Sequence, residues 1–315
     1  MIDVPETFVR ATVDREGEAG ADWIARLPSL LGELTDHWGC VPDGDVVHGG
    51  VGIVVPVVWG GATPAVLKVS FPHPGNVHEP DAFAAWGGQG AVRLYERDDS
   101  RFAMLLERVR ASSLAEVEDT DEVAVVAGRI SRRLAVPAPP GGLPRLRDMA
   151  DGWERQLLCD QKEFDDALSA RAVDAALGTV RELGHAQPDL LVHGDLHARN
   201  VLRAEREPWL AVDPKGWVGD PAYDGGTLLK ALGLRMLDVG LDDEPERLRS
   251  AAHRILGLFS EAAGLDRERV GRWAQFHLVQ AAFWGRRHGF RRARGGSALD
   301  RLNRFLDRAA EALTP

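Results

Sequence analysis

Leu190-Leu191-Val192-His193-Gly194-Asp195-Leu196-His197-Ala198-Arg199-Asn200-Val201-Leu202 decides how this chain is read, and Leu210-Ala211-Val212-Asp213-Pro214 follows closely behind it. An apolar run ends in His-Gly-Asp, an Asn stands five residues past that Asp, and a second Asp closes the next apolar run. Magnesium-dependent phosphoryl transfer needs such a set. One carboxylate takes the proton of an attacking hydroxyl, while an Asn and another Asp hold the metal that bridges the nucleotide phosphates. The Asp-x-x-x-x-Asn spacing lets both side chains emerge from one tight loop toward a common point. A lone His-x-Asp between two strands more often serves as a turn. The full set, with Asp195 as base and Asn200 and Asp213 as metal ligands, favours the catalytic reading.

Toward the N-terminus, β-branched runs at 45–48, 51–58 and 64–69 are separated by Gly49-Gly50 and Gly60-Gly61, which predicts hairpins of an antiparallel sheet. A helix is expected over 78–87, with further strands near 91–96 and 101–106. Ile24, Leu27, Leu31 and Leu34 at helical spacing predict an amphipathic helix over 23–38. Beyond Glu107 the pattern turns helical, at 122–134, 153–168, 173–185, 225–237, 246–263, 267–285 and 297–313, broken by short strands around Asp195. The fold class is α+β. A small antiparallel-sheet lobe, 1–107, precedes a larger helical lobe, 108–315, and nucleotides favour the cleft between such lobes.

A phosphotransferase of this kind needs a phosphate-facing amine from the sheet lobe. Lys68 is a charged residue inside the apolar strand Val66-Leu67-Lys68-Val69, where a buried ammonium is costly without a partner. Glu79, at the start of the next helix, supplies that partner, and the pair would hold the ammonium against the α- and β-phosphates. Glu96 and Glu107 are the competing carboxylates. Gly49, Gly50 and Gly52 lie in a turn whose backbone can approach phosphates without Cβ interference. Val55 occupies the third glycine position of Gly-x-Gly-x-x-Gly. No Gly-Lys-Ser/Thr sequence opens a helix, which excludes a P-loop.

The composition bounds the remaining choices. With 315 residues, 44% hydrophobic, and nine Trp, the chain can bury a large core. It has no apolar run long enough to cross a bilayer and no signal pattern at Met1-Ile2-Asp3-Val4, so a soluble, cytoplasmic monomer with no membrane partner is expected. A net charge of −10 disfavours nucleic acid and suits a cationic ligand. Cys40 and Cys159 form no metal-ligand pattern and are expected reduced and buried. The basic run Arg286-Arg287-His288-Gly289-Phe290-Arg291-Arg292-Ala293-Arg294 reads as a solvated helix end.

These residues resemble the aminoglycoside and hydroxyurea phosphotransferases of the protein-kinase-like superfamily, and within it the streptomycin 6-phosphotransferase group. The resemblance is carried by 65–69, His78-Glu79-Pro80-Asp81-Ala82-Phe83, Leu105-Leu106-Glu107-Arg108, the Asp195 segment, Val212-Asp213-Pro214-Lys215-Gly216 and Gly219-Asp220-Pro221-Ala222-Tyr223-Asp224. It implies a bilobal kinase-like fold that moves the γ-phosphoryl of ATP, with Mg2+, to a hydroxyl of a small and cationic acceptor. It also implies that backbone groups of Glu107 and Val109 meet adenine, and that Asp220 braces the catalytic loop. Gly194 stands where protein kinases have Arg, and Asp213-Pro214-Lys215 replaces Asp-Phe-Gly, so a phosphorylation-switched protein kinase is disfavoured. A metabolic kinase of a sugar, amino alcohol or hydroxyurea-like molecule is the alternative, and an inactive nucleotide-binding scaffold a remote one. Carboxylates near Glu154, 160–166 and Asp242-Asp243-Glu244 are the candidates for meeting a polycation.

Overall fold

The computed structural model describes residues 2–238, 240, 244–290 and 295–315, and only the backbone of Leu234. The chain divides into two compact units, Met1–Arg110 and Ala111–Pro315.

In the first unit, α1 (Glu6–His37) precedes an antiparallel sheet and α2 (Glu79–Trp86). The strands are β1 (Cys40–Pro42), β2 (Val47–His48), β3 (Gly52–Trp59), β4 (Thr63–Ser70), β5 (Leu94–Asp98) and β6 (Ala103–Glu107). They run in the order β1-β3-β4-β6-β5, and β2 also pairs with β3. Alternation along β3 and β4 turns Ile53, Val55, Val57, Ala65, Leu67 and Val69 into one core with Phe8, Trp23, Leu27, Leu31 and Leu34 of α1. The same period of two puts Lys68 on the opposite face from Leu67 and Val69. The helix expected over 23–38 is therefore the second half of a longer one that starts at Glu6 and breaks direction at Gly17, whose φ is 61°. Its first half escaped notice because Phe8 and Thr12 alone mark its buried side before the break, amid charged residues.

The second unit carries α3 (Thr120–Leu134), α4 (Leu146–Glu163), α5 (Ala170–Thr179), α6 (Ala222–Asp238), α7 (Pro245–Ala263), α8 (Arg267–His288) and α9 (Gly296–Ala312). Two small antiparallel pairs complete it: β7 (Leu190–Val192) with β10 (Trp217–Gly219), and β8 (Val201–Arg203) with β9 (Trp209–Ala211). α8 lies against α5, α6 and α9, and its Trp273 and Phe276 meet Trp153 of α4 and Tyr223 of α6 edge-on or at a tilt. Gly226 is what allows α6 so close, since a Cβ there would stand 2.2 Å from His277 Cδ2 and 3.0 Å from the Trp273 carbonyl. α4 starts seven residues before the expected Trp153, because Leu146 and Ala150 extend its buried face, and stops at Phe164. The helix expected over 173–185 ends at Thr179 and continues as one wider turn, Val180–Gly184.

Both cysteines are free. Cys40 is buried as expected, but Cys159 is exposed, because Trp153, Leu157 and Asp160 take the inward face of α4. The basic run is less solvated than expected: Arg286 forms a two-pronged pair with Asp307 at 2.7 and 2.8 Å, and Arg287 pairs with Asp160. Arg291, Arg292, Ala293 and Arg294, like Asp242 and Asp243, lie outside the described residues. Among the described residues no helix is long and apolar enough to cross a membrane.

Candidate functional site

In the first unit the strand period and the start of α2 bring two opposite charges together. Lys68 Nζ lies 2.5 Å from Glu79 Oε1, both largely out of solvent. An ammonium and a carboxylate buried apart would each be costly, and paired they leave the ammonium fixed in position. Of the competing carboxylates, Glu107 at the end of β6 accepts instead from the Arg93 N–H at 3.0 Å, and Glu96 lies on β5. Val109 follows, half-buried, beyond β6.

The glycine turn between β2 and β3 is closed by Gly49 N–H donating to the Gly52 carbonyl at 2.9 Å. Gly52 is required by packing, since a Cβ would sit 2.7 Å from Ser70 Oγ on β4. Gly49 and Gly50 have open space beside them. The start of α1 holds this turn: Arg15 donates to the Gly50 carbonyl at 2.7 Å, and Thr7 Oγ1 meets His48 Nε2 at 3.0 Å. That support was invisible in the sequence, where Arg15 is one more charge in a charged stretch.

In the second unit, the loop from β7 to β8 carries Asp195 and Asn200, and the loop from β9 to β10 carries Asp213. Asn200 Nδ2 donates to the Asp195 carbonyl at 3.1 Å, and the Asn200 carbonyl accepts from Val212 N–H at 2.9 Å. Asn200 thus spans, by its side chain on one side and its backbone on the other, from the base to the strand that delivers Asp213. The Asp195 side chain is 34% exposed, open enough to meet a hydroxyl, with His197 Nε2 at 3.8 Å from its Oδ2. Burial pushes His197 down, which favours its neutral form. Asp213 has a φ of 60°, the left-handed region that non-glycine residues enter at a cost of roughly 1 kcal/mol. Such strain at a functional residue persists because the surroundings fix it.

His193 explains how the two loops stay in register. It is 0% exposed; its Nδ1 accepts from Asp195 N–H at 3.3 Å and its Nε2 meets the Val212 carbonyl at 3.0 Å. A carbonyl only accepts, so Nε2 carries the proton and the ring is neutral. Burial pushes its pKa down to about 4. Gly194, with φ of 78°, makes the turn that follows.

Asp224, in the first turn of α6, clamps this loop: its Oδ2 accepts from His193 N–H at 3.0 Å and its Oδ1 from Gly194 N–H at 2.9 Å. Burial pushes its pKa up to about 7 against the pull of those two donors. One turn later Thr227 donates to the Leu196 carbonyl at 3.0 Å. The expected brace, Asp220, does something else. It accepts from Trp273 Nε1 at 2.7 Å and from Arg269, and ties the start of α6 to α8. Asp220 precedes the helix, whereas Asp224 lies within its first turn on the side facing the loop.

Among the described residues no group of three or more His, Cys, Asp or Glu could hold a metal alone. Asn200 and Asp213 are hard oxygen donors, and Mg2+ is commonly held by one or two such groups while phosphates and water fill the rest. The donor set therefore fits magnesium brought in with a nucleotide. Of the acidic candidates for a polycation, Glu154 is paired with Arg181, Glu244 with Arg247, and Asp160 with Arg287.

The sequence profile of the aminoglycoside/hydroxyurea antibiotic resistance kinase family matches residues 37–289. Streptomycin 6-kinase of Streptomyces glaucescens is 37% identical over 286 residues, which cover 90% of this chain and 91% of that protein. Hydroxyurea phosphotransferase of Kitasatospora aureofaciens is 35% identical over 290 residues, covering 90% and 80%. Among solved structures, a choline/ethanolamine kinase family protein from Mesorhizobium loti matches with a TM-score of 0.56 at 16% identity, covering 90% of this chain and 99% of that one. At that identity the likeness speaks for the fold, which is protein-kinase-like.

Proposed function

We propose that this chain, which belongs to the aminoglycoside/hydroxyurea antibiotic resistance kinase family and is an ATP-dependent phosphotransferase, acts on a hydroxyl of a streptomycin-like aminoglycoside. The observation that carries the phosphoryl-transfer reading is the linked set of Asp195, Asn200 and Asp213, with His193 and Asp224 fixing the loop between them. Asp195 takes the proton as the acceptor oxygen bonds to the γ-phosphorus and the bridging oxygen leaves with ADP. Lys68, oriented by Glu79, meets the α- and β-phosphates. Asn200 and Asp213 hold magnesium, which when bound neutralises phosphate charge. The glycine turn and the backbone of Glu107 and Val109 complete the nucleotide's surroundings. Confinement to the cytoplasm and a monomeric state fit this role.

The acceptor class rests on the streptomycin 6-kinase at 37% identity. Hydroxyurea competes with it, given the phosphotransferase relative at 35%. ADP release measured against streptomycin, other aminoglycosides, hydroxyurea and neutral sugars tests the choice. Streptomycin should give the highest kcat/KM. A neutral sugar or hydroxyurea outrunning every aminoglycoside would refute the acceptor while leaving phosphoryl transfer intact.

A further inference from the structure

A cavity of about 700 Å³ opens within the second unit, walled by Gln156 and Asp160 of α4, Lys230 of α6, and His277, Gln280 and Trp284 of α8. Its place follows from α6. Asp224 and Thr227 fasten that helix to the catalytic loop, and Lys230 comes three residues further along the same side. Lys230 therefore lines the cavity about one helical turn beyond the residues that clamp the loop carrying Asp195. Burial pushes Lys230 down and the Asp195 charge pushes it back up, so the two groups are within electrostatic reach.

The polar groups of the lining are unevenly committed. Asp160 is occupied, with Arg287 at 2.7 Å and Gln156 Nε2 at 2.8 Å. Lys230 has no hydrogen bond or ion pair among the described residues. His277 is 4% exposed, and its Nε2 has no partner among the described residues. A buried polar atom left unpaired costs free energy unless a ligand completes it. Trp284 is 58% exposed and stacks on His288 at 4.0 Å, a flat apolar surface at the same cavity. With Asp160 neutralised by Arg287, the uncommitted charge here is positive. The cavity is thus suited to an uncharged, oxygen-rich face of a molecule and unsuited to its cationic groups.

We propose that this cavity seats the hydroxylated face of the acceptor, and that Lys230 donates a hydrogen bond to an acceptor oxygen beside the hydroxyl that reacts. The proposal rests on the phosphotransferase reading above and adds a specificity residue to it. The guanidinium groups of a streptomycin-like acceptor then point away from Lys230.

Two measurements test it. In steady-state assays with streptomycin, Lys230→Met should raise the acceptor KM by roughly 10- to 100-fold, the usual worth of a hydrogen bond to a charged group. The KM for ATP should stay within about twofold, and Lys230→Arg should recover part of the loss. On the unaltered protein, reductive methylation followed by peptide mass analysis reads the four lysines, Lys68, Lys162, Lys215 and Lys230, separately. Streptomycin should slow modification of Lys230 and leave Lys162 unchanged, a readout independent of how any variant folds. Turnover of streptomycin with neither a KM change nor Lys230 protection overturns the proposal and spares the function. A protein that consumes ATP with none of the acceptors overturns both.

Discussion

Replacing His193 with Gln should change how the protein responds to acid. His193 is held neutral by two bonds of fixed direction, accepting from Asp195 N–H and donating to the Val212 carbonyl. Protonation would set a second N–H against that of Asp195, on a ring that is closed off from solvent. Its pKa is pushed from an ordinary 6.5 down to about 4 by burial. The unfolded chain takes up a proton that the folded chain refuses. His193 therefore contributes stability that is full above pH 6.5 and disappears as pH falls through about 4. The gap corresponds to about 3 kcal/mol, at ~1.4 kcal/mol for each pH unit within the window. Gln keeps a donor for Val212 and has nothing to protonate. Urea unfolding of the wild type and His193→Gln, followed from pH 7.5 to 4, should show the wild type's advantage shrinking by about 3 kcal/mol. Asp224 and His277 titrate in both proteins and cancel in the difference. A difference that stays constant over this range would refute the account of His193 as a buried neutral link.

Two further outcomes are expected at the site itself. Asp195→Asn should lower kcat by about 10²–10⁴-fold with little change in ATP affinity measured by equilibrium binding, because the lost function is proton acceptance. Magnesium titrations of activity should shift to higher concentration for Asp213→Ala than for Asn200→Ala, since the first removes a charged ligand and the second a neutral one; the reverse order would exchange the two roles.

Much of this arrangement was legible because it is local. Alternating β-branched residues fixed the face of β4 on which Lys68 lies, and a lone charge in an apolar strand asked for the partner that Glu79 supplies. Asp195, Asn200 and Asp213 sit at the ends of short strands that the apolar runs predict. What was misread depended on direction rather than spacing. Asp220 and Asp224 differ by a single helical turn, and only the position of α6 decides that Asp224 reaches the loop while Asp220 faces Trp273. The first half of α1 was missed because Gly17 interrupts its period. Lys230 and His277 meet at one cavity from helices far apart in sequence, and nothing in either stretch announces the other.

The clamp on the catalytic loop also has a consequence for the order in which the chain is made. His193 precedes Asp224, which holds it, by 31 residues, and Asp220 precedes Trp273 by 53. A ribosome thus releases the loop first, then the helix that fastens it, and only later the helix that fastens the fastener. Until α6 emerges, the backbone donors of His193 and Gly194 look to water, and until α8 emerges, Asp220 at the start of α6 lacks Trp273 and Arg269. A chain that stops short of α8 would carry every residue assigned to ATP and yet lack the means to hold them, so premature termination well beyond the motif should silence the gene product as surely as termination before it.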